Sequence, residues 1–111
     1  MTVKELSEKC SFRIFNMGDG EAEISGVYCC DLLSVVMGRA FSRCAWVTVM
    51  GNINSIAVAS LTDMSCIVLS DTAVLDDAAL EKAKLQKVTI LKSELPIFET
   101  ALAIHKAVGN A

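Results

Sequence analysis

The sequence predicts an α/β fold, a three-layer α/β/α sandwich around a mostly parallel central sheet. Three observations carry this. Short apolar runs at 45–50, 66–69 and 88–91 alternate with helical stretches. Strands joined through helices are normally parallel, with right-handed crossovers. The runs are apolar almost without interruption, as suits strands covered on both faces. The chain is 53% hydrophobic with a mean hydropathy of +0.50, and its 111 residues fit one domain, 1–111. No linker, repeat or low-complexity segment interrupts it.

Each element has a local reason. Thr2-Val3-Lys4-Glu5 is a capping box, a hydroxyl and a carboxylate three residues apart satisfying each other's free amides; a helix should run to about Lys9. Phe12, Ile14 and Phe15 suit a short strand. Asn16-Met17-Gly18-Asp19-Gly20 is a turn rich in residues that tolerate positive φ. Residues 21–30 read as extended, with a bulge or bend at Gly26. Asp31 is placed to cap a helix over 32–37, and Gly38 to end it in the left-handed conformation. Residues 45–50 form the strongest strand, and Gly51-Asn52-Ile53-Asn54 turns the chain.

The second half continues the alternation. The helix over 53–61 carries Ile56, Ala57, Val58 and Ala59 almost all round it, so it should be largely buried. Its alanines permit close approach to a sheet or to a second copy. Residues 66–69 are the next strand and Ser70-Asp71-Thr72 its exit. Asp76 opens a further helix, with Leu75 and Leu80 spaced as a hydrophobic staple. Asp76 and Asp77 sit at its positive end, and Lys82, Lys84 and Lys87 toward its negative end. After the 88–91 strand, Pro96 falls in the first turn of a final helix, where its missing N–H costs little. Ile97, Ala101, Ile104 and Val108 share one stripe there, and Gly109 should stop it.

Composition excludes several function classes. Net charge is −3 and the pI about 5.0. Basic residues are scattered and aromatics few, so the electrostatic footprint of nucleic-acid binding is missing. No apolar stretch approaches the ~20 residues needed to span a bilayer. The first ten residues alternate in charge and lack the apolar region of a signal peptide; a cytosolic protein is expected. So apolar a small chain must leave apolar residues outside, and exposed patches mark partner surfaces. A homodimer or a docking face follows as an expectation.

Cys10, Cys29, Cys30, Cys44 and Cys66 are odd in number and include no C-x-x-C pair, which argues against a disulfide framework. Cys29 and Cys30 are adjacent on an extended segment, so their side chains point to opposite faces, poor geometry for a shared metal. Free cysteine acts as a small buried hydrophobe; a redox or metal-handling role through Cys29, Cys30, Cys44 or Cys66 is the lesser alternative to that reading. No metal and no cofactor is expected.

Ligands of open parallel sheets bind beyond the carboxyl ends of the strands. The exits here are small and polar, and Asp31, Gly51, Asn52, Asn54, Ser70 and Asp71 are the candidate ligand-binding residues. Helix amides on that rim could hold an anion, although capping and turn formation alone account for these residue types. Arg39 and Arg43 flank a loop and could meet an anion, whereas solvated loop charges are the commoner case. His105, the single histidine, lies far in sequence from every cysteine, so no Cys–His pair has local support. Phosphate-binding G-x-x-x-x-G-K-[ST], G-x-S-x-G and H-E-x-x-H patterns are missing.

The stretches VYCCDLLSVVMGRA, CAWVTVMGNINSIAVASL and CIVLS together resemble the DRTGG domain family. The specific blocks are Asp31-Leu32-Leu33-Ser34, Val36-Met37-Gly38, Trp46-Val47-Thr48 and Asn54 to Ala59, and the resemblance runs from Val3 to about Lys106. The name-giving residues match less well. Glu21-Ala22-Glu23-Ile24-Ser25-Gly26-Val27 keeps only Gly26 of them, and Ser70-Asp71 stands where a later Gly-Gly is usual. The resemblance implies a fold similar to the amino-terminal domain of HPr kinase/phosphorylase. It also implies a non-catalytic, regulatory role like that of the domains inside phosphotransacetylases and beside CBS domains in some pyrophosphatases, where they help form dimers. Small stand-alone members occur in anaerobes, some encoded near iron-only hydrogenase genes, so a larger, hydrogenase-related enzyme is a conceivable partner. A kinase label attaches to some of them; this chain lacks the phosphate-binding loop that kinase activity would need. Two readings stand: a non-catalytic regulatory or assembly domain, acting as a homodimer or docked on a larger enzyme, and a small-anion or nucleotide sensor on the strand-exit rim.

Overall fold

The computed structural model describes residues 1–109. Its elements are α1 (Val3–Lys9), β1 (Arg13–Asn16), β2 (Gly26–Cys29), α2 (Leu33–Arg39), β3 (Cys44–Thr48), α3 (Ile53–Leu61), β4 (Cys66–Leu69), α4 (Asp77–Gln86), β5 (Ile90–Lys92) and α5 (Ile97–Gly109). The sheet has five strands in the order β1-β5-β4-β3-β2. Strands β2 to β5 run parallel and β1 joins β5 antiparallel, Arg13 opposite Lys92. This is the α/β/α sandwich with a mostly parallel sheet that the sequence predicts.

The layering follows from β3 and β4, in which every residue is buried. Side chains of a strand alternate between faces, and here both sets are apolar. Cys44, Trp46, Ile67, Leu69 and Ile90 face one core with Val36 of α2, Ile56 and Ala59 of α3, and Ala79 and Ala83 of α4. Ala45, Val47, Cys66, Val68 and Leu91 face the other with Val3 and Leu6 of α1 and Ile104 and Ala107 of α5. Three helices cover one face and two the other. The chain reaches β2 from β1 by a strap, residues 17–25, beneath the amino ends of the parallel strands. There Gly18 N–H donates to Thr89 Oγ1 at 2.9 Å, Ser25 N–H to the Arg43 carbonyl at 2.9 Å and Ser65 Oγ to the Glu23 carbonyl.

The predicted caps mostly form. Thr2 and Glu5 make the reciprocal capping box, Asn52 caps α3 and Asp76 caps α4. Two expectations need correction around α2. The residue at its N-cap is Leu32, with no side-chain cap, because the Asp31 carboxylate turns instead to β3. Gly38 lies inside the helix with negative φ, and α2 ends at Ala40, which is extended. The chain leaves α2 in the extended conformation, so no left-handed residue is required there. Gly26 begins β2 in register with Cys44 rather than forming a bulge. A Cβ there would press on the Phe41 ring at 3.3 Å, so the glycine serves close packing. Pro96 immediately precedes α5, and its carbonyl accepts the first helical bond from Thr100. No helix among the described residues is long and apolar enough to cross a membrane.

Ile14 and Leu91 are register partners on one sheet face, yet Leu91 is fully buried and Ile14 is exposed. Leu91→Ala should cost about 2–5 kcal/mol through its cavity, and Ile14→Ala under about 1 kcal/mol. Urea titration of both variants checks the contrast.

Candidate functional site

Because β2 to β5 are parallel, their carboxyl ends share one rim, and Asp31, the 51–54 turn, Ser70-Asp71 and Ser93 all lie on it. Most of the polar atoms there are already paired inside the molecule. Asp31 Oδ1 accepts from Thr48 Oγ1 at 2.6 Å and from Val49 N–H at 3.0 Å, tying the end of β2 to the end of β3. Asn52 Oδ1 accepts from the amides of Asn54 and Ser55 at 3.0 and 3.1 Å, which are the free donors an anion at the α3 terminus would use. Asp76 Oδ1 likewise accepts from Ala79 N–H at 2.7 Å. The Asn54 side chain is exposed on the first turn of α3.

Gly51 is needed for close approach. A Cβ there would overlap the Val74 carbonyl oxygen, and the Gly51 carbonyl accepts from Asp76 N–H at 3.3 Å. The turn after β3 therefore packs backbone to backbone on the loop after β4. Ser70 is fully buried, and its Oγ has no hydrogen-bond partner among the described residues. Asp71 has φ 56°, its amide donates to the Leu95 carbonyl at 2.9 Å and its own carbonyl accepts from Lys92 Nζ at 2.6 Å. Of the six candidates, only Asp71 lines the cleft that opens beside β1.

That cleft, about 640 Å³, lies at the β1 side of the rim. Its walls are Phe15, Val74, Leu75 and Leu80, and its polar groups include Arg13, Lys92, Glu94 and Asp71. Lys92 is only 6% exposed. Its ammonium donates to the carbonyls of Asp71 and Ser93, both at 2.6 Å, and stands 3.7 Å from Glu94 Oε2. Arg13 lays its guanidinium over the Phe15 ring at 5.2 Å and comes within 3.5 Å of Glu94 Oε1. The sequence reading places Lys92-Ser93 at a strand exit on this rim, but does not count Arg13, Phe15 or Lys92 among its candidate ligand-binding residues. The only available signal was a lysine closing an otherwise apolar strand. The antiparallel placement of β1, which brings Arg13 opposite that lysine, has no local signature.

The cysteines do not cluster. Cys29 is exposed, Cys10 and Cys30 are half-buried, and Cys44 and Cys66 are buried on opposite sheet faces. Among the described residues no group of three or more His, Cys, Asp or Glu is arranged to hold a metal. Burial pushes the Cys66 thiol up to about 12 and the Cys44 thiol up to about 11, and it raises those of Cys10 and Cys29. Thiols so held are protonated near neutral pH, and the thiol is not the nucleophile. Arg39 and Arg43 are exposed, and His105 is exposed on α5.

No family model matches the chain, and no curated protein sequence matches it either. Among solved structures it is similar to the CBS and DRTGG domains of the regulatory region of Clostridium perfringens pyrophosphatase, crystallised with the activator diadenosine tetraphosphate. The TM-score is 0.73 at 10% identity, and the match covers 96% of this chain and 47% of that one. The chain thus spans about half the length of that regulatory region, and the likeness is one of fold.

Gly51→Ala should lose about 1–3 kcal/mol by overpacking against the Val74 backbone, read as a lowered urea midpoint. Alkaline stability has a defined sign. Unfolded thiols ionise near their ordinary 9.0, whereas folded Cys66 and Cys44 keep their protons to about 12 and 11. The unfolded chain then binds fewer protons, so stability is intact below about pH 9 and falls as pH rises toward 12. The double variant Cys44→Ala/Cys66→Ala should start less stable but decline less steeply over that range, as followed by circular dichroism.

Proposed function

We propose that the chain is a regulatory module of the DRTGG type, without chemistry of its own, that works by pairing with a second copy of itself through α5. The blocks around Asp31, Trp46 and Asn54 that resemble the family carry the DRTGG reading, and the shared fold supports its architecture. The protonated thiols and the inward pairing of the rim's polar groups support the non-catalytic reading. The likeness to a region that regulates a pyrophosphatase and is crystallised with a nucleotide activator supports a regulatory one.

A single observation carries the association. α5 is apolar on two opposite sides. Thr100, Ile104 and Ala107 are buried against the sheet, while Phe98 and Leu102, four residues apart on the opposite side, are exposed, Phe98 to 69%. A surface helix ordinarily has one apolar stripe, facing its own core. A second stripe on the far side has no partner within the chain, and such patches mark interfaces. Two copies related by a two-fold axis would each present the same stripe to the other, the commonest form of homo-oligomer.

Sedimentation at micromolar concentration tests this. A dimer is expected, and Phe98→Glu should shift it to monomer while leaving the circular dichroism spectrum of the fold unchanged. Wild-type protein that sediments as a monomer refutes the proposal.

A further inference from the structure

We propose that the cleft between β1 and the loop after β4 binds a small monocarboxylate with an aliphatic or aromatic body, and that Glu94 occupies the anion position until that ligand displaces it. This site requires nothing of the outer face of α5.

Lys92 is a buried cation, and a buried charge is costly unless it is well paired. An ammonium has three donors. Two are spent on the Asp71 and Ser93 carbonyls. The nearest carboxylate oxygen, Glu94 Oε2, stands at 3.7 Å, beyond hydrogen-bond distance. Arg13, on the adjacent strand, is held by the Phe15 ring beneath it, and its own contact with Glu94 is 3.5 Å. Glu94 therefore bridges two positioned cations loosely, while its side chain is 71% exposed. An ion pair that exposed contributes little, so Glu94 can leave at small cost.

A carboxylate arriving from outside could take the third Lys92 donor and the Arg13 fork together. Charge-assisted bonds of that kind are the strong ones. Beside them stand Val74, Leu75 and Leu80, with Val74 79% exposed, so an apolar body attached to the carboxylate would cover surface that now faces water. The volume of about 640 Å³ falls in the range of small-molecule sites. Charge selects the head group. With Glu94 displaced, the charged side chains lining the cleft are Arg13, Lys92 and Asp71, one net positive charge. That matches a single carboxylate better than a phosphate dianion or a polyphosphate.

Calorimetric titration with 3-phenylpropionate, with amide NMR shifts to locate it, tests the site. Binding is expected to move residues 13–15, 72–75 and 92–94. Arg13→Ala, at an exposed position, should weaken it about tenfold or more. Glu94→Gln should tighten it, since the internal competitor loses its charge. The neutral amide 3-phenylpropanamide should not bind. The proposal is overturned if neither wild type nor Glu94→Gln binds at millimolar ligand, or if the shifts fall elsewhere. It is overturned equally if phenyl phosphate or AMP binds more tightly than the carboxylate. Glu94→Gln affinity no better than wild type would refute the displacement.

Discussion

The structure depends on burying both faces of two adjacent strands. β3 and β4 have no side that water could touch, since Trp46 and Ala45, or Ile67 and Val68, point oppositely and are all apolar. A one-sided cover would leave half of these side chains wet, at roughly 25 cal/mol for each Å² of apolar surface. Helices are therefore needed above and below. The crossovers α2, α3 and α4 all fall on one face, as right-handed connections between neighbouring parallel strands require. The other face is left for α1 and α5, the elements outside the crossover series. Trp46 adds a polar anchor, its indole N–H donating to the Cys30 carbonyl at 2.9 Å, so the largest core side chain also fixes where β2 ends.

The same economy shapes the rim. A helix that starts just after a buried strand must satisfy its free amides in little space, and Asn52 and Asp76 do so for α3 and α4. Asp31 is drawn to the end of β3 for a related reason: Thr48 is buried, and a buried hydroxyl needs a partner. What remains open is the β1 side, where the sheet receives a strand of opposite direction and the loop after β4 stands away from it. Glu94, which lines the cleft there, stands four residues before Phe98 on the outer side of α5. The polar opening and the apolar face are thus neighbours in the chain.

The sequence made the layered architecture legible because periodicity, capping chemistry and the spacing of strand and helix all agree along 44–92. Elements set by competition for a partner were less legible. Asp31 reads as an N-cap from its neighbours alone, but Thr48 and Val49, brought close by the parallel pairing of β2 and β3, win its carboxylate. Gly38 reads as a helix stop, yet the departure into Ala40 is extended and needs no positive φ. For the site, residue type pointed to the correct rim, since turn and cap residues gather there. It could not bring Arg13 to Lys92, since the two meet only through the antiparallel β1–β5 pairing across most of the chain.

That pairing bears on synthesis. The ribosome delivers β1 early and β5 late, and domains take shape as their segments emerge. The strap bond from Gly18 to Thr89 closes over 71 residues. Until β5 is made, Phe12, Ile14 and Phe15 have no strand to lie against, while β2, β3 and β4 can already pair in the order of their emergence. The nascent chain thus carries an unpaired apolar segment until β5 emerges, a window in which a chaperone, or the matching segment of a neighbouring nascent chain, could capture it.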